Sequence, residues 1–268
     1  LDAGTFVFEG EGDFDDTLPR LAVSYDMNNN WNFYANYAKG RRSPVVNADA
    51  SGVTVTKAEI VDSYDLGVKY QSPNFTFTGA VFTYQYSDYQ QSYTDAETLQ
   101  SITVTVGDST MSGIEGMATY HYSDTLSFTT SLGFLDAEFA DDTADGTPFQ
   151  YGGNKFRLAP EVSGAININK LVEMDNWLLD FNWLTSFQSK VYFESSNYPG
   201  LWQDTHSLTD VSMKVSKDNS QFAFEVYVDN LFDKEYLIDA GNTGGGLGIP
   251  TFVRGMPRIA GVRVYYDF

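Results

Sequence analysis

Three features predict an all-β chain that crosses a lipid bilayer with antiparallel barrel strands. They are period-two alternation along most of the sequence, abundant aromatics without a long apolar run, and connections that alternate between short and long. Aromatic residues make up 16% of the 268, with 18 Tyr and 20 Phe. Tyr and Trp suit a surface that is apolar on one side and wet on the other. The most hydrophobic stretches, such as 177–184, are broken by Asp180 and Asn182, far short of the roughly 20 apolar residues a membrane helix requires. Any crossing is therefore made by strands.

The alternation places residues on faces. Trp31, Phe33, Ala35 and Tyr37 share one face, and Tyr64, Leu66, Val68 and Tyr70 repeat the pattern. Leu126, Phe128, Thr130, Leu132 and Phe134 continue it, as do Trp177, Leu179, Phe181 and Trp183. Thr209, Val211, Met213 and Val215 oppose Asp210, Ser212 and Lys214, while Phe222, Phe224, Val226 and Val228 oppose Ala223, Glu225, Tyr227 and Asp229. The last strand sets Ala260, Val262, Val264, Tyr266 and Phe268 against Gly261, Arg263, Tyr265 and Asp267. One segment changes parity, from Phe75, Phe77 and Val81 to Phe82, Tyr84 and Tyr86. A bulge at Gly79 and aromatics facing the lumen are two open readings.

The expected strands span 17–26, 31–40, 58–71, 75–90, 109–122, 126–139, 155–168, 176–190, 205–217, 220–232 and 257–268. Tight turns fall at 27–30, 72–74, 123–125 and 218–219, and long links at 41–57, 91–108, 140–154, 191–204 and 233–256. The link 169–175 is intermediate and falls where a short turn is due. Short turns at one end and long loops at the other characterise outer-membrane barrels, whereas a soluble sandwich has no reason to sort loops by end. Eleven is an odd count, which single-chain bacterial barrels avoid. The acidic, glycine-rich stretch 1–16 reads as the tail of another outer loop. The expectation is a fragment: an open half-barrel when isolated.

The net charge of −20 excludes the basic face that nucleic-acid binding needs. The chain has no Cys, hence no disulfide framework and no thiolate metal site.

Several segments resemble the C-terminal barrel of TonB-dependent outer-membrane receptors, importers of siderophores, haem, vitamin B12 and some sugars. Asn230-Leu231-Phe232-Asp233-Lys234-Glu235-Tyr236 is similar to the family's penultimate-strand signature. Gly255-Met256-Pro257-Arg258 then leads into a strand ending in Phe268. Upstream, Tyr34-Ala35-Asn36-Tyr37-Ala38-Lys39-Gly40-Arg41-Arg42-Ser43-Pro44 resembles a strand-to-loop signature. Lys57-Ala58-Glu59 with Ser63-Tyr64-Asp65-Leu66-Gly67-Val68-Lys69 resembles another, and Gly113-Ile114-Glu115-Gly116 begins a third. Ala58 stands where the family often has Pro. The resemblance implies that residues 1–268 are about eleven C-terminal strands of a barrel of about twenty-two, with the plug domain and TonB box outside the chain. It also implies localisation in the bacterial outer membrane. The partners it implies are lipid and lipopolysaccharide, the TonB complex, the barrel-assembly machinery and an iron chelate or other small ligand.

Candidate site residues lie at the expected outer end. Arg41 and Arg42 open a long link, as solvated residues, as partners of lipopolysaccharide phosphates, or as a grip on an anionic substrate. His206, near Tyr198 and Trp202, is a candidate contact for an iron chelate or haem. Val262, Val264, Tyr266 and Phe268 read as lipid-facing strand, and the resemblance adds recognition by the assembly machinery. The acidic groups at 9–16 and 136–145 lack the spaced pattern of a calcium loop and read as solvated charge. Gly244–Gly248 lacks the Lys and helix of a phosphate cradle and reads as outer loop. No catalytic residue, metal site or cofactor is assigned.

The leading functional expectation is TonB-dependent import of a scarce nutrient, foremost a ferric siderophore or similar iron chelate. The alternatives are a passive pore or adhesin, and an outer-membrane hydrolase on a smaller barrel. A hydrolase needs a positioned His, and the two histidines, His121 and His206, fall at opposite ends of the expected topology.

Overall fold

The computed structural model describes residues 15–49, 52–94, 101–140, 151–244 and 249–267. In chain order the strands are β1 (Arg20–Asp26), β2 (Trp31–Arg42), β3 (Val46–Asp49), β4 (Gly52–Val55), β5 (Glu59–Gln71) and β6 (Phe75–Thr94). They continue with β7 (Ser101–Ser123), β8 (Leu126–Phe139), β9 (Val162–Met174), β10 (Trp177–Gln188), β11 (Val191–Tyr192) and β12 (Trp202–Gln203). The last five are β13 (His206–Lys217), β14 (Phe222–Asp229), β15 (Leu237–Gly244), β16 (Ile249–Arg254) and β17 (Ile259–Tyr266). Eleven of them form one sheet in the order β1-β2-β5-β6-β7-β8-β9-β10-β13-β14-β17. All neighbours in it are antiparallel. β1 and β17 form the two edges and do not pair with each other among the described residues, so the sheet is an unclosed barrel wall. The tight turns after β1, β5, β7, β9 and β13 fall at one end, and the long links at the other.

Cross-strand register carries a single apolar face across the wall. One row runs Val23, Ala35, Leu66, Val81, Ile114, Phe134 and Val162 over seven strands. Another runs Phe181, Met213, Val226 and Val262 over four. These side chains are largely exposed, with Val262 at 67%; such a face requires lipid as its solvent. At the turn end this face carries an aromatic belt. Trp31 and Tyr70 lie 4.6 Å apart, Phe222 and Tyr266 4.8 Å, and Lys217 Nζ sits 5.6 Å from the Trp177 ring. Belts of this kind sit at the headgroup level.

The opposite face is polar and internally bonded. Asn169 donates to Asp180 at 2.6 Å, Tyr84 to Asp65 at 3.1 Å and Arg263 to Glu225 at 3.2 Å. Two glycines permit a close approach there. A Cβ on Gly67 would fall 2.2 Å from the Tyr34 ring, and one on Gly261 would fall 2.5 Å from Tyr227. Each tyrosine lies across its glycine and is approached by the cation two residues further along, Lys69 at 5.4 Å and Arg263 at 3.8 Å.

Four expectations need correction. The parity change at Gly79 is not a bulge, because Gly79 pairs in register with Gly116. The aromatics do face the lumen, with Phe82 lying against Gly113, and the irregularity comes later, between Tyr86 and Gln90, where Asp88 has φ 53°. Much of the expected loop 91–108 is strand, with Gln90 to Thr94 paired against Thr105 to Ser101, and Thr103 and Val106 buried. β9 begins at Val162 rather than near 155, because Phe156 turns inward to pack on Phe139 at 4.5 Å. It also runs on to Met174, so the intermediate link shrinks to a tight turn at 175–176. Asn169 faces the lumen and Lys170 bonds Thr125, so both polar residues fit the strand.

The buried apolar clusters lie at the link end. Val106, Ala137, Phe139 and Phe156 form one, and Val191, Phe193 and Ala240 the other. The mid-wall apolar rows face lipid, whereas these clusters form where folded-in links pack against the strand ends.

Candidate ligand-binding mouth

The long links interlock. Asn47 pairs its side-chain amide with the backbone of Thr103, donating at 2.7 Å and accepting at 3.1 Å. Buried Gln90 donates from its side-chain amide to the carbonyls of Ser43 and Lys57, at 3.0 and 2.8 Å, holding both stems of the 43–58 link. Its own N–H donates to Glu59 at 2.7 Å. On the far side, Asn197 accepts from the Lys155 N–H at 2.8 Å and donates back to its carbonyl at 2.9 Å. Asn154 reaches Ser195 at 3.0 Å, and Leu158 N–H reaches Tyr192 at 2.8 Å. Gln203 accepts from Leu237 N–H at 2.6 Å. Side-chain amides thus stand in for missing ladder bonds and join neighbouring links into a layer over the lumen side.

The expected site residues occupy different parts of this layer. Arg41 and Arg42 alternate and point to opposite faces; Arg41 pairs with Asp16 at 3.4 Å, while Arg42 donates to the Gln90 carbonyl at 3.2 Å beside Glu59 at 3.9 Å. Trp202 packs edge-on to Tyr192 at 6.3 Å, with Lys190 Nζ 3.9 Å from its ring centroid. Tyr198 is exposed near the tip of the same link. His206 stacks on Tyr236, with centroids 5.1 Å apart and planes at 22°, rather than on Tyr198 or Trp202. Val262, Val264 and Tyr266 lie on the lipid face opposite Val226, Phe224 and Phe222, and Phe268 lies outside the described residues. Of the acidic group at 136–145, Asp136 and Glu138 surround Lys155 Nζ at 2.7 and 3.2 Å, with Glu161 at 3.4 Å; residues 141–145 lie outside the described residues. The stretch 9–14 and residues 245–248 lie outside them as well.

Beneath the layer, a cavity of about 280 Å³ opens on the lumen side between β10, β13 and the 236–238 segment. Ser186, Gln188, His206 and Leu208 line its strand wall, and Val191, Phe193, Tyr236 and Ile238 the other side. Nearby, burial raises the pKa of the Glu194 carboxyl; Arg157 opposes the shift and Asp239 adds to it. Reading the sequence alone missed Tyr236, Phe193 and Gln90. Tyr236 had a signal, as the terminal residue of the Asn230 motif; Gln90 had none, because its role depends on two carbonyls over thirty residues away.

A wall with an apolar outer face, an aromatic belt, a polar inner face and interlocked links at one end defines a transmembrane barrel of the bacterial outer membrane. The chain belongs to the TonB dependent receptor-like, beta-barrel family, whose model matches residues 2–231. It is 23% identical to the pesticin receptor of Yersinia pestis over 266 residues, covering 97% of this chain and 37% of that protein. Its fold is similar to that of the ferric yersiniabactin uptake receptor FyuA from Yersinia pestis, with a TM-score of 0.79, 23% identity, and 94% and 37% of the two chains covered. The ferric preacinetobactin receptor BauA from Acinetobacter baumannii gives a TM-score of 0.72 at 19% identity, covering 94% and 36%. The copper transporter OprC gives 0.71 at 18%, covering 94% and 41%. The chain therefore spans little more than a third of the length of the curated relatives it matches.

Proposed function

We propose that this chain is the C-terminal barrel portion of a receptor that imports an iron chelate, foremost a ferric siderophore, across the outer membrane with energy from TonB. The observation that carries the reading is the family match over 2–231, in a chain whose long links build a folded layer over a polar lumen. Proteins named as ferric-chelate receptors recur among the similar structures. The copper transporter among them has the same fold, so fold alone does not assign the cargo. In this reading the plug and the TonB contact belong to the N-terminal part of the receptor. The links carrying Arg41, Arg42, Tyr198, Trp202 and His206 meet the ligand. Lipid and lipopolysaccharide surround the wall, and the assembly machinery reads the β17 face ending in Phe268. The chain's role is transport without catalysis.

The test is growth and uptake. Deleting the gene should abolish proton-motive-force-dependent accumulation of radiolabelled iron from one chelate class in iron-starved cells, and re-expression should restore it. Unchanged uptake of every ferric chelate supplied would refute the reading.

A further inference from the structure

Resting on the import reading, we propose that the cavity between β10, β13 and the 236–238 segment is a subsite for a single aromatic ring carried by the chelate. The ligand class is thereby a ferric complex with phenolate or catecholate arms, as opposed to hydroxamate or citrate.

The argument starts from size. At about 280 Å³ the cavity falls at or below the lower end of the roughly 300–1,000 Å³ typical of pockets for whole small ligands, so it accommodates one arm. Its walls come next. Val191, Phe193, Leu208 and Ile238 supply apolar surface, and His206 and Tyr236 present two nearly parallel rings at its edge. His206 Nδ1 lies 3.3 Å from the Asp204 carbonyl, a contact that holds the ring plane. Ring pairs prefer offset stacking at 4.5–7 Å, and an entering aryl group extends such a stack. The polar groups are the Ser186 hydroxyl, the Gln188 amide and the His206 ring on the strand side and the Tyr236 hydroxyl opposite; the hydroxyls and the amide can donate to an oxygen on the ring. A hydroxamate or carboxylate arm would set its polar atoms against the apolar walls, a desolvation that proteins disfavour. The cavity also lies on the lumen side at the end of the long links, on the route into the barrel.

The experiment uses outer-membrane vesicles from cells expressing the receptor, with binding read from quenching of tryptophan fluorescence. The probes are ferric 2,3-dihydroxybenzoate, ferrioxamine as a hydroxamate complex, and ferric citrate. The expected result is binding of the catecholate complex, weakened at least tenfold by Tyr236→Leu and by Ile238→Trp. Ile238 is more than half exposed, so the added indole fills the cavity without removing a core contact. It keeps the test valid if Tyr236→Leu disturbs folding, which heat-modifiable gel mobility reports. Binding of ferrioxamine or ferric citrate in place of the catecholate complex overturns the ring assignment and leaves iron import standing. So does catecholate binding indifferent to both variants. Binding of none of the three overturns the ring assignment, and the import reading falls only if uptake of every ferric chelate also survives gene deletion.

Discussion

The side-chain amide of Asn230 donates to the main-chain carbonyl of Met256 at 3.1 Å, across 26 residues of chain. The same amide donates to the Lys234 carbonyl at 2.9 Å and accepts from the Lys234 N–H at 2.8 Å. Asn230 is 5% exposed and has φ 50°, a left-handed conformation that Asn tolerates better than most residues. Nearby, Asp233 accepts from the Arg258 N–H at 2.9 Å. The two segments around 230–236 and 255–258 are therefore halves of one clasp that sets where β17 begins.

That clasp gives the first prediction. Asn230→Ala removes three hydrogen bonds, two to Lys234 and one to Met256, at about 0.5–1.5 kcal/mol for each. Urea unfolding from lipid vesicles should show a loss of that order. Asn230→Gly relieves the backbone strain yet loses the same bonds, so it should remain destabilised; recovery to wild-type stability would assign the effect to φ alone.

Gln90 makes an equivalent clasp for the 43–58 link. Gln90→Ala should leave the wall intact while exposing this link to limited proteolysis, with a local loss of about 1–3 kcal/mol. Cleavage within 43–58 by a surface-added protease, at rates well above wild type, is the readout. Equal protection in both proteins would show that Asn47 and Thr103 suffice.

On the lipid face, Val226 lies between Met213 and Val262. Val226→Arg should reduce stability in lipid by about 2–4 kcal/mol if the residue lies near the bilayer midplane. Glu225→Gln, on the lumen side, should instead weaken only its bonds to Arg263, Tyr265 and Ser212 and show no dependence on bilayer thickness. An undisturbed Val226→Arg barrel would invert the assignment of faces.

Glu194 makes the mouth sensitive to pH. Burial raises its carboxyl pKa above the ordinary value. A raised folded value means that protonation favours the packed link: the stabilisation is fully present below the unfolded carboxylate pKa and is lost as pH rises through the folded one. Amide exchange in 189–205 should therefore slow on acidification across that window after correction for intrinsic rates. Glu194→Gln should remove the dependence.

The wall was legible in the sequence because its signal is local. Alternation assigns each residue to a face, and eleven strands in the right order follow from it and from the spacing of turns. The edges of strands were less legible where side chains leave the lipid environment. Beyond Tyr86 and before Val162, alternation stops reporting lipid and lumen and starts reporting packing under a link, as Thr103, Val106 and Phe156 show. The mouth was read only in part. His206 lines the cavity and its stacking partner is Tyr236, thirty residues on; periodicity carries no information about that pairing. Arg41 and Arg42 read alike in the sequence, as solvated residues, lipopolysaccharide partners or a grip on an anionic substrate, yet neighbours on a strand face opposite ways.

The paired amides at the mouth also constrain how such a surface can diversify. Asn197 is bonded to residue 155, and Gln203 to residue 237. Exchange of one complete link with a relative strands donors in its neighbour, so inheritance at the mouth proceeds by blocks of adjoining links. Between the amide contacts the tips are free to drift residue by residue. Sequence variation that alters recognition without disturbing assembly should accordingly collect at the tips, around Tyr198 rather than around Asn197, and chimeric receptors should fold when their junctions fall in the strands that bound a bonded set of links.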